Sequence, residues 1–480
     1  MNAPITCFRA ADWLVAWDEG AGRHRYVRGG DLAFQGDTVI HASAARFEGR
    51  CDEEIDAGGM CLLPGLVNIH THTGSMPTFR GVREDLGNPN FYFSGLYEGW
   101  GLFMPPIERR SVCCTVAISE MLLSGVTTYV DMSYPFPGWV ETVARSGIRS
   151  FVSPLFDSAR VVAESDHAVR YEWSDDGGEG AYRRALDVLE VVESDRSGLL
   201  SPMMSPMAVD TVSPDLLRQS HAVAQERGWP YHLHAGMAVL EFQEMTRGTG
   251  QTPIQWLAKL GVLGPGTIIG HAIFLDHHSW LHWHTRSDLG ILAESGSSVS
   301  HCPVVFARYG VLLESLGSYR RAGITVGIGT DTHPHNMLEE IRIAATNARI
   351  ADEHMFSVTT ADAFDAATIG GAEALGRRDI GRLAPGAKAD ILVADATHPM
   401  MLPLYDPIRS LVYSAADRAV KDIYVGGRRV VENGRVLTLD HAEAVRQLHE
   451  IQSEVTASMP GRDRKGRRAD EVAPRVYEGA

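Results

Sequence analysis

Lysine is nearly missing from this chain: it occurs four times in 480 residues, at Lys259, Lys388, Lys421 and Lys465. Basic groups (44) are outnumbered by acidic ones (60), for a formal charge of −16. A surface of that sign repels phosphate backbones and anionic lipid, which argues against nucleic acid and membrane as main partners and leaves a small neutral or cationic molecule. No apolar run reaches the roughly 18 residues of a spanning helix, and Met1-Asn2-Ala3-Pro4 lacks the basic-then-apolar order of an export signal. A cytoplasmic protein is expected. Cysteine is sparse too, and the six (Cys7, Cys51, Cys61, Cys113, Cys114, Cys302) show no paired spacing. They read as reduced, packed thiols, not as cross-links.

What the chain does have is a hydrophobic share of 44%, enough for a substantial core, and a length that suits one large domain with a smaller one beside it. One stretch organises the rest: Leu62-Leu63-Pro64-Gly65-Leu66-Val67-Asn68-Ile69-His70-Thr71-His72. In an extended strand residues two apart share a face, so the imidazoles of His70 and His72 converge on one point, as a divalent transition metal requires. Two surface histidines at a strand end would look the same in isolation, so the reading depends on what other apolar runs carry at their ends.

Those runs are regular. After residues 61–72 come strands around Gly125–Asp131, Ile148–Val152, Leu199–Pro206, Tyr231–His234, Thr267–His271, Ser297–His301 and Thr325–Asp331, each followed by a helical stretch such as Pro214–Arg227 or Met337–Ile350. Eight strand–helix units predict an α/β fold, a (β/α)8 TIM barrel whose active site gathers at the C-terminal strand ends. Short strands before residue 61 and again near Ile391–Val393, Leu411–Tyr413, Lys421–Val425 and Arg428–Val431 predict a flanking β-sandwich built from both chain ends. The boundaries expected are 1–60 and 379–438 for the sandwich, 61–378 for the barrel, and 439–480 for a C-terminal helix with a loosely held tail. The long segment Met76–Pro106 reads as a functional lid.

His72, His234, His271, His301 and Asp331 all fall at strand ends. Any one histidine alone would be read as a packed or surface residue. Together, His70, His72 and His234 as neutral nitrogens and Asp331 as a carboxylate make a metal set able to bring the pKa of bound water toward about 7. Asp331 can also accept the water's proton. His271, following Gly270, is a catalytic candidate that polarises the substrate, orients water or adds a ligand. His301 reads as a substrate contact. The run His277, His278, His282 and His284, interleaved with Trp280 and Trp283, is expected on the surface of the helix after the sixth strand.

These motifs resemble the amidohydrolase superfamily, specifically its cytosine deaminase-like branch of triazine and purine chlorohydrolases and aminohydrolases. The resemblance rests on Pro64-Gly65-Leu66 through His72 with Arg80-Gly81, Ser119-Glu120-Met121 through Thr128, His232-Leu233-His234, Ser300-His301-Cys302-Pro303, Gly329-Thr330-Asp331 with Glu339-Glu340-Ile341-Arg342, Pro385-Gly386-Ala387-Lys388-Ala389-Asp390 and Val425-Gly426-Gly427-Arg428. It implies one Zn2+ (Fe or Mn being alternatives) on His70, His72, His234 and Asp331, hydroxide on that metal attacking an sp2 carbon, Asp331 as base, and a homodimer or larger homo-oligomer. A bridging carbamate would need a lysine on the fourth strand, and Leu199–Ala208 has none, so one metal is implied.

The chain departs from that branch at one position. Its deaminases usually carry a glutamate three residues after the fifth-strand histidine; here stands Met237, which delivers no proton. Glu241 and Glu244 read as a solvated helix face. His333 and His335 follow Asp331, and His335 is a candidate for substrate contact or proton delivery. Loss of an acid costs about 10² to 10⁴ in rate, and a metal-polarised carbonyl suffers that loss less than an amidine-like ring carbon. The expected reaction is therefore cleavage of a non-peptide C–N bond of amide, lactam, urea or carbamate type in a small cyclic or aromatic molecule. The alternatives are a deaminase with a relocated acid and a catalytically silent barrel kept for binding. Met237, Trp100 among the aromatics of the long loop, and Arg308 facing a substrate carboxylate complete the expected substrate contacts.

Overall fold

The computed structural model of the chain describes residues 3–82, 101–165, 168–314 and 316–477. Trp100 lies outside them, as do Phe91, Tyr92, Phe93 and Tyr97. All eight expected strand positions are extended: Leu66–Thr71, Val126–Ser133, Arg149–Phe156, Leu200–Pro202 with Ser205–Pro206, Tyr231–Ala235, Thr267–His271, Ser298–His301 and Val326–Ile328. The first four pair in parallel in one sheet and the last four in another. Parallel bridges Met204–Tyr231 and Ala208–His234 link the fourth strand to the fifth, and Thr71–Asp331 links the first strand to the end of the eighth. Near-continuous burial along these strands, as in Val126–Ser133, fits parallel strands covered on both faces.

Helices between the strands begin where the sequence supplies caps. Ser213 accepts from the Leu216 amide ahead of Pro214, starting Pro214–Arg227, which ends at left-handed Gly228. Asn336 accepts from the Glu339 amide and starts Met337–Ala351 five residues after Asp331. That cap fixes the path of the chain just beyond the eighth strand.

Both chain ends meet beside this unit. Met60–Pro64 pairs antiparallel with Ile391–Asp395, inside a seven-stranded sheet that runs from Arg435–Val436 at one edge to Arg23–Val27 at the other. A four-stranded sheet of Thr38–Ser43, Gly30–Gln35, Ile5–Ala11 and Glu53–Asp56 shares a core with it, including Phe8, Leu14, Leu32, Leu62, Ile391 and Val393.

Four expectations are corrected. Cys7 and Cys51 are bonded to each other: parallel pairing of Ile5–Ala11 with Glu53–Asp56 brings their Cα atoms to 6.0 Å, within disulfide reach, while Cys61, Cys113, Cys114 and Cys302 are free and buried. Leu411–Tyr413 is helical, because Asp406 caps a turn opened by Pro407 and the helical path continues to Ala415. The histidine–tryptophan run forms turns, not a helix: the Asp276 carboxylate accepts from Thr285, Ser287 and Asp288, and the helix begins only at Asp288. Within that run His278 is buried, 3.7 Å from Glu314. The tail is not loose near its start, since Pro460 lies inside the helix His441–Arg462 and Val472 packs with Met76, Phe79, Phe103 and Met459. Phe79 and Phe103 of the long loop thus belong to a core.

Candidate active site

His70 is the last but one residue of the fully buried strand Leu66–Thr71, and His72 follows directly after it. The Asp331 amide donates to the His70 carbonyl (2.8 Å) and the His72 amide to the Asp331 carbonyl (3.0 Å), so the first and eighth strands hold these residues in register. Space for the His70 ring is reserved by two glycines. A Cβ on Gly270 would lie 3.1 Å from His70 Cε1, and one on Gly329 would lie 2.6 Å from His70 Cβ and 2.9 Å from Cys302 Sγ. His271 and Asp331 adopt left-handed backbone, φ 78° and 56°, a strained conformation of the kind that clusters where function requires it.

Hydrogen bonds settle which ring nitrogens face inward. His72 Nδ1 lies 2.5 Å from the Met132 carbonyl and His234 Nδ1 lies 2.6 Å from the Met207 carbonyl. A carbonyl only accepts, so each Nδ1 donates and each Nε2 presents a lone pair. Those two Nε2 atoms stand 3.3 Å apart, with Asp331 Oδ1 3.2 Å from His72 Nε2 and 3.7 Å from His70 Nε2. Lone pairs and a carboxylate facing one another, with His70 Nε2 buried and without a hydrogen-bond partner, form a donor set that a cation satisfies and a proton does not. Two overlapping groups meet the geometric requirement, His70 with His72 and Asp331, and His70 with His234 and His271. His271 Nε2 is 4.0 Å from Asp331 Oδ2.

Charge reinforces this. Burial drives His234 down to about 3, helped by the neighbouring imidazoles of His72 and His271, and burial lowers His271 to about 4. His70 is lowered by burial as well. Asp331, facing the imidazoles of His72, His234 and His271, is held below the usual carboxylate range despite its burial, so the carboxylate is ionised. The centre is thus neutral imidazole plus carboxylate, the protonation state that metal binding requires.

The centre opens into a cavity of about 560 Å³, within the usual span of about 300 to 1,000 Å³ for small-molecule sites. His72, His234, His271, Asp331 and Met237 line it, with Met104, Met207, Val305 and Phe306 as apolar wall. The other expected contacts are placed elsewhere. His301 is buried outside the lining, with burial lowering it to about 3. Arg308 donates to Thr332 Oγ1 (3.1 Å), and Thr332 rather than Arg308 lines the cavity. His335 is fully buried with Nδ1 3.5 Å from Glu120 Oε2, away from the cavity. Glu241, expected in solvent, has no exposure; its carboxylate accepts from the amides of Gly236 (2.7 Å) and Met237 (2.8 Å).

Among the polar groups in the lining that were not anticipated are Arg110, Tyr134, Asp157 and Asp210. Tyr134 donates to Asp157 (2.5 Å) and Tyr171 donates to Asp210 (2.8 Å). Both aspartates stand just past strand ends, the third and the fourth, which was the available signal. Tyr171 belongs to a hairpin, Ala159–Ser165 with Ala168–Trp173, that follows the third strand and adds Ala159, Arg160 and Val161 to the wall.

Comparison with known proteins agrees with this construction. The family model described as "Amidohydrolase family" matches residues 61–430. The chain is 28% identical over 415 residues to a 5-methylthioadenosine/S-adenosylhomocysteine deaminase of Natronomonas pharaonis, covering 85% of this chain and 90% of that protein. It is 27% identical over 444 residues to a 5'-deoxyadenosine deaminase of Methanothermobacter thermautotrophicus, covering 90% and 96%. Its fold is similar to that of a zinc-bound adenosine deaminase from Xanthomonas campestris (TM-score 0.81, 24% identity, 95% and 99% covered). It is also similar to zinc-bound atrazine chlorohydrolase TrzN from Arthrobacter aurescens (TM-score 0.79, 22% identity, 93% and 100% covered). The chain belongs to the amidohydrolase family, and it is a metal-dependent hydrolase of carbon–nitrogen bonds other than peptide bonds.

Proposed function

We propose that this enzyme hydrolyses an amide, lactam, urea or carbamate-type C–N bond in a small cyclic molecule at a mononuclear centre held by His70, His72, His234 and Asp331. The eight parallel strands form one (β/α)8 barrel over residues 61–378, with a β-sandwich from 1–60 and 379–438 and a helix and tail from 439–480. The working protein is a cytoplasmic homo-oligomer. Zinc is the metal favoured by the three imidazoles and one carboxylate. When bound, the cation acidifies water toward a pKa of about 7 and polarises the electrophilic carbon's oxygen.

The chain's own groups do the remainder. Asp331 takes the proton of the attacking water. His271, kept neutral by burial, turns one ring nitrogen toward the reacting group and orients it without carrying charge. Met104, Met207, Val305 and Phe306 exclude bulk water and receive an apolar ring. The observation that carries the amide-type reading is Met237: a thioether lines the cavity where an aromatic amine would need an acid. A zinc-loaded preparation is assayed on lactams, ureas, carbamates and anilides beside adenosine and related aminated heterocycles. Acid and amine products from the first group support the reading, and ammonia from the second with no turnover of the first refutes it. Deamination is the second reading, favoured because the relatives that the chain matches along nearly its full length are deaminases.

A further inference from the structure

The geometry points to Asp210 as the acid of the reaction, giving a proton to the departing nitrogen, with Tyr171 as its positioning residue. This rests on the C–N hydrolysis reading above and adds the group that reading leaves unnamed. Among the described residues, no side chain of the proposed metal set or beside it is suited to the task. Met237 has no proton to give, His271 faces Asp331 at 4.0 Å, and Asp331 is committed to the imidazoles. His301 does not reach the cavity lining.

Asp210 does reach it, and it is well placed. The Val209 amide donates to the His234 carbonyl (3.0 Å), so the chain passes directly beside the fifth strand just before Asp210 turns into the cavity. Tyr171, from the hairpin, donates to Asp210 Oδ2 and fixes the carboxyl. The helix Val239–Thr249 brings Glu241 and Glu244 to the same place. The same cavity is lined by Asp157, Arg110, Arg160, Asp331 and the imidazoles of His72, His234 and His271. Asp157 is the weaker candidate, since it follows the third strand and is bound by Tyr134 at 2.5 Å. Burial raises Asp210 above the ordinary carboxylate range, and burial with the nearby Asp210 charge raises Glu241, so a proton is retained by these two groups at a higher pH than an exposed carboxyl would hold it.

The step balances. Water gives its OH to the carbon and a proton to Asp331. The C–N bond breaks with its electron pair on nitrogen, which takes the Asp210 proton, and the proton on Asp331 returns to Asp210 through cavity water. Nothing is oxidised or reduced.

The test compares leaving groups that do and do not need a proton. Zinc-loaded wild type and Asp210→Asn are assayed on acetanilide and 4-nitrophenyl acetate. If the enzyme turns over adenosine instead, they are assayed on adenosine and its 6-chloro analogue. Asp210→Asn is expected to lose about 10² to 10⁴ in kcat on the nitrogen substrate, to stay within about fivefold on its partner, and to lose the alkaline limb of the pH profile. Tyr171→Phe, a milder change, removes a donor to the ionised carboxyl and is expected to move that limb to higher pH. Equal loss on both substrates, no loss on either, or an unmoved limb in both variants overturns the role of Asp210 while leaving the hydrolytic reading standing. Failure of zinc-loaded wild type on all four compounds overturns both.

Discussion

Replacing Asp390 by leucine should destabilise the enzyme severely without touching its chemistry. Arg149 opens the third strand, and its guanidinium meets Asp390 in two bonds of 3.2 Å while also donating to the Gly198 carbonyl at 2.8 Å. The side chains are 3% and 1% exposed, and Asp390 also accepts from the Gly426 amide. Removing the carboxylate leaves a buried guanidinium hydrogen-bonded to one carbonyl, a situation that costs about 3 to 5 kcal/mol, or roughly 10² to 10⁴ in the unfolding equilibrium. Because a buried pair pays heavily for desolvation, the double variant Arg149→Met/Asp390→Leu should recover most of that loss. Asp157, at the other end of the strand, lines the cavity about 25 Å away at about 3.3 Å per residue. Activity per folded molecule should therefore hold. Urea titration of the zinc-loaded protein by tryptophan fluorescence, with kcat/KM measured alongside, checks both halves. A single variant losing under about 1 kcal/mol, or a double variant as unstable as the single, would show that the pair is not desolvated as described.

Asp331→Asn should abolish turnover with melting temperature near wild type, and wild-type kcat in that variant would remove Asp331 from proton transfer. Met237→Glu should not raise activity on the native substrate; an increase would make Met237 a damaged acid position. Acid sensitivity follows from His234, His271 and His301, held at about 3, 4 and 3 in the fold against 6.5 when exposed. Below pH 6.5 the unfolded chain takes up protons that the folded one refuses, so stability is complete above that pH and is lost as pH falls toward 4. Each group contributes up to about 1.4 kcal/mol per pH unit. Thermal melts of chelated protein between pH 7 and 4.5 measure the slope, and a flat profile would contradict the burial of these rings.

The cluster of imidazoles and carboxylate proposed to hold the metal was legible in the sequence because strand alternation is a local property: His70 and His72 share a face by period alone, and His234, His271 and Asp331 end apolar runs of strand length. The cavity wall was not legible. Asp157 and Asp210 lie a few residues beyond where the apolar runs of the third and fourth strands fade, and the hairpin that brings Tyr171 to Asp210 is a tertiary arrangement. Glu241 looks like one exposed position on an amphipathic helix, yet the loop before the helix folds over it and its amides claim the carboxylate. Arg308 and His335 were assigned to substrate by proximity in sequence, whereas Thr332 and Glu120 occupy them. The Cys7–Cys51 bond escaped notice because 44 residues separate its partners, and only strand pairing makes them neighbours.

The seven-stranded sheet has a consequence for how the protein is made. Met60–Pro64 takes Ile391–Asp395 as its neighbour, so a strand that leaves the ribosome early waits for one that emerges some 330 residues later. At about 5 to 20 residues per second that wait lasts on the order of 16 to 66 seconds. Throughout it Leu62 and Leu63, fully covered in the finished molecule, lie on a strand with an unpaired edge. The nascent chain is therefore most in need of a chaperone while the catalytic half is being synthesised.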